Sequence, residues 1–235
     1  MIFIPFLALI FFASIIPLRD FDIWFHIKSG EIIAKMGIIH HDVFSHATHG
    51  REWFPYEWLF QIIVFRFQQW FGFESIKYLM SAVITLQIGV LYLILRRVFN
   101  LNKFLSIISC FFFYVSVYDF YTARPHVFAY TFLLVNLGLV LLFFFKRRNL
   151  LMWTFPITLI WANLHGSIFL NIVFFASFSI IAFLNYLILK EKTWLSKSKT
   201  LAIYTIPTVL LTILPPLGFL QYRLLWIFSS KITPT

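Results

Sequence analysis

Hydrophobic residues fall in eight long segments that are separated by short polar stretches. The segments cover residues 1–17, 57–71, 78–95, 104–118, 127–145, 149–168, 169–189 and 201–220. Within hydrocarbon, only helices and closed barrels satisfy every backbone polar group, and these segments are too long to be barrel strands. The pattern therefore predicts an all-α fold, a polytopic transmembrane helical bundle of about seven to eight spans.

Segment 57–71 makes the number of spans uncertain by one. It is short and carries Gln61, Arg66, Gln68 and Gln69. Such a segment either lies along the membrane interface or enters the bilayer and returns.

The same pattern predicts a single membrane domain over residues 1–235. Residues 1–17 form the first span, because they lack the basic start of a cleaved signal peptide. Residues 18–56 form a loop, residues 57–220 the helical bundle and residues 221–235 a short tail.

Basic residues occur in three clusters between the apolar segments. These are Arg96, Arg97 and Lys103; Lys146, Arg147 and Arg148; and Lys190, Lys192, Lys197 and Lys199. The positive-inside rule puts all three in the cytoplasm. It follows that the turns near residues 119–126, 163–167 and 215–218 are extracytoplasmic. With an N-terminus in the cytoplasm, loop 18–56 is extracytoplasmic too, provided that segment 57–71 does not cross fully.

Composition supports a membrane location and argues against a nucleic-acid-binding protein and a disulfide-rich protein. Hydrophobic residues make up 61% and charged residues 12% of the chain, against roughly 25% charged residues in soluble domains. The mean hydropathy is +0.87. The net charge of +10 comes from the loop clusters, so we expect membrane lipids and no nucleic acid as partners. The single Cys110 excludes an intrachain disulfide framework.

Titratable residues concentrate in the first loop. Residues 20–57 hold six of the nine acidic residues and five of the seven histidines. Asp20 and Asp22 follow the first span directly. They are either solvated charges of an interfacial anchor or a pair in which one carboxylate is a general base and the other orients it.

The chain after Asp22 has the pattern of an interfacial helix. In a helix, Phe25, Ile32, Ile33 and Met36 would share one face. Gly37 would end this helix.

Loop histidines offer ligand types suited to zinc or manganese. They are His40, His41, His46 and His49, with Asp42 between them. Their irregular spacing favours solvated side chains, so no metal site is assigned. The cofactor stays unknown, with a divalent metal left open.

Two later turns carry polar residues beside apolar segments. Arg124 precedes Pro125 and His126, and Asn163 lies two residues before His165. An arginine fork suits a phosphate or pyrophosphate. The alternative is an interfacial arginine with structural turns.

Taken in order, these residues resemble the GT-C membrane glycosyltransferases and related bacterial polytopic proteins. The resemblance rests on the run 19–30 (RDFDIWFHIKSG), on 42–45 (DVFS), Trp53 and 57–59 (EWL), on 124–126 (RPH) and 161–166 (WANLHG), and on 214–218 (LPPLG). It covers nearly the whole chain. Members of this superfamily are about twice as long, so the chain would be an N-terminal fragment or a minimal relative.

The resemblance implies an inverting transferase in the bacterial cytoplasmic membrane. The enzyme would pass a sugar from a polyprenyl-phosphate donor to an extracytoplasmic acceptor, with Asp22 or Asp20 as the general base. Substrate binding is assigned to Trp24, His26, Arg124, His126, Asn163 and His165. Two other functions stay open: a non-catalytic membrane subunit or lipid-carrier binding protein, and, ranked last, a small transporter.

Overall fold

The computed structural model describes residues 2–216 and residue 218, and within that part the protein is all-α with no β-strand. Its helices are α1 Phe3–Ala13, α2 Asp22–Met36, α3 Trp58–Phe71, α4 Ser75–Arg97, α5 Lys103–Ser116, α6 His126–Lys146, α7 Thr154–Leu164, α8 Phe169–Leu189 and α9 Lys192–Ile213. Each of the eight apolar segments overlaps one of these helices, which confirms the predicted all-α class. The predicted tail 221–235 and Leu217 of the motif at 214–218 lie outside the described residues.

Three stretches in the described part are long and apolar enough to cross a bilayer. They are α4, α6 and Gly166–Leu189, in which a 3₁₀ turn leads into α8. Helices α1, α5 and Leu151–Leu164 are apolar but shorter. The 14 residues of α3 extend about 21 Å, less than the roughly 30 Å of hydrocarbon. The three long helices are those of a membrane protein, and the count of seven to eight spans stays a prediction.

The chain forms two compact units. The first is Met1–Gly30 with Gln61–Thr154, and the second is Glu31–Phe60 with Phe155–Thr235, as far as each is described. Helices α2 and α3 each contribute residues to both.

The core of the first unit lies around α4, which packs against α1, α5 and α6. Its buried side chains include Ile10, Ile84, Ile88 and Cys110. In a water-soluble protein, burying one isoleucine side chain would contribute about 1.5–3 kcal/mol to the free energy of unfolding. In lipid, close packing between helices takes over much of that role.

Helix α2 passes close to α3 at Gly30. A Cβ atom built on Gly30 would lie 2.0 Å from the carbonyl oxygen of Gln61, so only glycine fits there. The buried face of α2 therefore runs through Ile23, His26, Gly30 and Ile33. The predicted apolar face was partly wrong: it included Ile33, but it also included Met36, which is 73% exposed.

Helix α2 ends where the sequence indicated. Gly37 adopts a left-handed φ of 80°, and its N–H donates to the carbonyl of Ile33 over 2.9 Å. Glycine takes this conformation without the steric penalty that a side chain would add.

In the second unit, α8 packs against α9. The Oγ of Ser179 lies 3.0 Å from the carbonyl oxygen of Ser198 and donates to it. Asn171 donates to the hydroxyl oxygen of Thr158 over 2.8 Å, and both residues are buried. These bonds satisfy polar groups between apolar helices, where an unpaired group would be costly.

Candidate functional site

Arg124 holds the two carboxylates that follow the first helix. Its Nε and Nη2 donate to the two carboxylate oxygens of Asp20, the second over 3.1 Å. Its Nη2 also lies 2.7 Å from a carboxylate oxygen of Asp22. Asp20, Asp22 and Arg124 form what we call the carboxylate–arginine cluster, and all three belong to the first unit.

Local structure explains why these residues meet. Asp20 lies just before α2, and its Oδ1 accepts from the backbone N–H of Asp22 over 3.1 Å. This bond from a side chain to the N–H two residues on forms an Asx turn just before α2, and both carboxylates lie near the positive end of the helix dipole. Arg124 lies just before α6, in a turn where its N–H donates to the carbonyl of Thr122 over 2.8 Å.

The two carboxylates differ in their exposure. The Asp20 side chain is 11% exposed and that of Asp22 is 55% exposed. Hydrogen bonding from Arg124 is the main reason that the pKa of Asp20 lies below its usual value, against an opposing effect of burial. Asp20 is therefore a fixed carboxylate, whereas Asp22 presents its carboxylate to the surroundings.

His26 lies one turn further along α2 and is 5% exposed. Burial lowers its pKa to about 4, although the negative charges of Asp22 and Asp20 oppose this shift. His26 is consequently neutral at pH 7. A neutral imidazole adds no positive charge to the cluster, so two carboxylates and one guanidinium leave a net charge of −1.

A cavity of about 310 Å³ adjoins Asp20 in the first unit. Met80 and Ile84 form part of its apolar wall, and Lys77 and Asp119 bring charged groups to its lining. Tyr121 and Thr122 line it as well. Their hydroxyl oxygens are buried and have no hydrogen-bond partner among the described residues. The cavity thus offers both polar and apolar surface beside a fixed carboxylate.

Two other predicted binding residues of the first unit make different contacts. Trp24 stacks on Phe73 with ring centroids 4.3 Å apart, and it stays 58% exposed. The Nε2 of His126 lies 3.0 Å from the carbonyl oxygen of Phe120, and its ring lies against Tyr130. Both residues stay candidates for substrate binding, but these contacts alone account for their positions.

The remaining predicted residues, Asn163 and His165, lie in the second unit. The Trp58 indole N–H donates to Oδ1 of Asn163 over 2.9 Å. Nδ1 of His165 accepts from the backbone N–H of Ser167 over 3.1 Å. A neutral His165 therefore carries its proton on Nε2, the atom that lies 3.7 Å from the Glu57 carboxylate.

Sequence reasoning did not assign Glu57 to the site. Its side chain is only 14% exposed. Its place in the acid-rich stretch 20–57 was a signal, but nothing local indicated His165 as its neighbour, 108 residues away. Lys77, Tyr121 and Thr122 of the cavity were missed too, because they follow no recognisable motif.

The histidine-rich loop in the second unit is ordered by Asp42. Asp42 accepts from the backbone N–H groups of Phe44 and Ser45 over 2.7 and 3.1 Å, and from the Thr48 hydroxyl. The bond from Thr48 is the main reason that the pKa of Asp42 is lowered. His41 pairs with Glu52 in an isolated antiparallel bridge. In residues 2–216 and 218, no three His, Cys, Asp or Glu side chains are grouped to hold a metal ion.

No protein-family model, curated protein or solved structure matches this chain, so its candidate site is defined by the residues and their geometry alone.

Proposed function

We propose that this protein is a GT-C-type membrane glycosyltransferase that passes a sugar from a polyprenyl-phosphate donor to an extracytoplasmic acceptor. The observation that carries the proposal is the carboxylate–arginine cluster. In it, the exposed Asp22 begins α2 and lies beside the fixed Asp20, which lines a cavity. An accessible carboxylate with a positioned neighbour is what a general base requires.

The proposed reaction balances as a single displacement. The acceptor hydroxyl gives its proton to Asp22, and its oxygen forms a bond to the anomeric carbon of the sugar. The bond between that carbon and the donor phosphate oxygen breaks, and the polyprenyl phosphate leaves with the electron pair. Attack from the side opposite the leaving group inverts the anomeric configuration.

Arg124 can either orient the carboxylates or bind the donor phosphate in this scheme. Its guanidinium already donates to Asp20 and contacts Asp22, so orienting the carboxylates requires no rearrangement. Binding the donor phosphate would require it to exchange a carboxylate for the phosphate. The net negative charge of the cluster favours the first role. We propose His126 as a substrate contact of the first unit, and His165 with Glu57 as a separate substrate contact of the second unit.

The proposal includes a topology in the bacterial cytoplasmic membrane. Loop 18–56, with α2 along the interface, is extracytoplasmic, and the three basic clusters are cytoplasmic. Cys110 is buried, so a Cys110→Ser background allows single cysteines to be introduced at exposed Ala47 and Lys192. A membrane-impermeant maleimide should label Ala47→Cys in intact cells, and Lys192→Cys only after permeabilisation. The reverse pattern would contradict the topology.

The test of the activity is sugar transfer in membranes that contain the full chain. Wild type, Asp22→Asn, Asp20→Asn and the control Glu191→Gln are compared at matched protein levels, with a panel of radiolabelled polyprenyl-phosphate sugars. We expect Asp22→Asn to abolish transfer and Glu191→Gln to retain it. Transfer by Asp22→Asn at the wild-type rate would refute Asp22 as the base.

Absence of transfer by the wild type across the panel would refute the transferase itself. The second candidate is then a non-catalytic lipid-carrier binding protein. The pairing of Arg124 with both carboxylates supports this candidate, because a structural ion cluster without catalytic activity has the same contacts. Photo-crosslinking to a polyprenyl-phosphate probe would detect such binding without turnover.

A further inference from the structure

A second cavity in the first unit is strongly basic. It has a volume of about 810 Å³ and lies where α4 ends, α5 begins and α6 ends. Five of its lining residues are cationic: Arg96, Arg97, Lys103, Lys146 and Arg148. In the part of the chain that the structure describes, none of its lining residues is acidic.

The ends of two helices build this basic cavity. Helices α4 and α6 point their carboxyl ends towards it, and the partial negative charge of a helix end attracts cations. Arg96 donates to the carbonyl of Leu101, and Lys146 donates to Oδ1 of Asn100 over 3.1 Å. Asn100 has a left-handed φ of 56°, which turns the chain at this point. One backbone carbonyl and one side-chain amide thus hold two of the five cations.

The other three cations, Arg97, Lys103 and Arg148, form no salt bridge with any described residue. Glu74, the acidic residue closest to α4 in sequence, precedes the other end of that helix. A helix of 23 residues is about 35 Å long, several times the Debye length at physiological salt. No acidic side chain in the lining therefore offsets the mutual repulsion among the five cations.

We propose that this cavity binds the phosphate headgroup of an anionic phospholipid. Phosphate oxygens suit a cluster of arginine forks and lysine ammonium groups. The lining also contains the apolar side chains of Leu93 and Leu142, and Leu93 is 51% exposed. Apolar surface next to a basic headgroup site distinguishes a lipid from a free anion. This site is separate from the carboxylate–arginine cluster and does not depend on sugar transfer.

The test uses the purified full chain in neutral detergent and the temperature of its unfolding. Cardiolipin, zwitterionic phosphatidylcholine and inorganic phosphate are titrated separately. We expect cardiolipin to raise the unfolding temperature in a saturable manner, and the other two to leave it unchanged. An equal effect of phosphatidylcholine would overturn the proposal. Stabilisation by inorganic phosphate at similar concentrations would replace it with a site for a small anion.

Matched variants separate this site from general charge. Arg97→Gln with Lys103→Gln removes two cations from the cavity, and the control Lys192→Gln with Lys199→Gln removes two from the second unit. The first pair should weaken cardiolipin binding by roughly thirtyfold, and the control should leave it unchanged. Equal weakening in both would overturn the proposal.

A folding readout accompanies these variants. Without lipid, Arg97→Gln with Lys103→Gln should unfold at or above the wild-type temperature, because it relieves repulsion between like charges. The charge-retaining Arg97→Lys should keep cardiolipin binding within a few-fold of wild type. Loss of binding in Arg97→Lys would overturn the charge-based proposal.

Discussion

The guanidinium of Arg124 bonds both carboxylate oxygens of Asp20, 104 residues away along the chain. The contact joins the segment before α2 to the turn before α6. Because Asp20 is 11% exposed, the pair is shielded from water on one side and is held by two bonds. Such a bidentate contact is more specific in geometry than a single surface ion pair.

Replacing Arg124 should therefore destabilise the protein. In Arg124→Gln, Asp20 keeps its burial but loses its charged partner, at a cost of about 1–3 kcal/mol in the free energy of unfolding. Arg124→Lys keeps the charge but not the fork, so we expect an intermediate loss. Denaturant unfolding of the purified chain measures both. Wild-type stability in Arg124→Gln would show that the pair contributes nothing.

His26 should make stability depend on pH. Its pKa is about 4 in the folded protein and 6.5 when free, so the unfolded chain binds the proton first as the pH falls. Stability is therefore complete above about pH 6.5 and falls towards pH 4, by on the order of 3 kcal/mol. Unfolding temperatures measured from pH 7.5 to 4 test this. His26→Leu, which cannot bind the proton, should flatten the profile over that range.

Gly30 should tolerate no larger residue. The Cβ atom of an alanine would lie 2.0 Å from the Gln61 carbonyl oxygen, so α2 and α3 would have to separate. We expect Gly30→Ala to lower the free energy of unfolding by about 1–3 kcal/mol. Gly89→Ala is the matched control, because the nearest atom to its new Cβ would be 4.0 Å away. That variant should be neutral or slightly stabilising.

The bond between Trp58 and Asn163 is open to a double-mutant cycle. The indole N–H donates over 2.9 Å, and both Trp58→Phe and Asn163→Leu remove this bond. The two substitutions together should cost less than the sum of their separate effects, with a coupling of about 1 kcal/mol. Strictly additive effects would mean that the bond does not stabilise the second unit.

Much of the helical framework was predictable from the sequence. Each of the eight apolar segments overlaps one helix, and α2 begins at Asp22 and ends before Gly37. These features depend on local properties: runs of apolar residues, a carboxylate at a helix start, and a glycine that tolerates positive φ. A fragment of the chain carries that information by itself.

Helix length and burial were less predictable. Segment 1–17 contains a helix of only 11 residues, Phe3–Ala13, although its apolar run continues to residue 17. Hydrophobicity alone does not predict the residue at which a helix ends within such an apolar run. The prediction that Met36 lies on the buried face of α2 was wrong. The close approach of Gly30 to Gln61 determines which face is buried, and the spacing of apolar residues does not reveal that contact.

The sequence by itself thus determined an all-α chain, helices that are long and apolar enough to span a membrane, and the residue types of a candidate site. Only the tertiary structure decided that Arg124 joins Asp20 and Asp22, that Glu57 faces His165, and that five cations line one cavity. Periodicity and propensity act over a few residues, whereas these partners are brought together by helix packing across as many as 108 positions. Their pairing therefore depends on the folded arrangement of each unit.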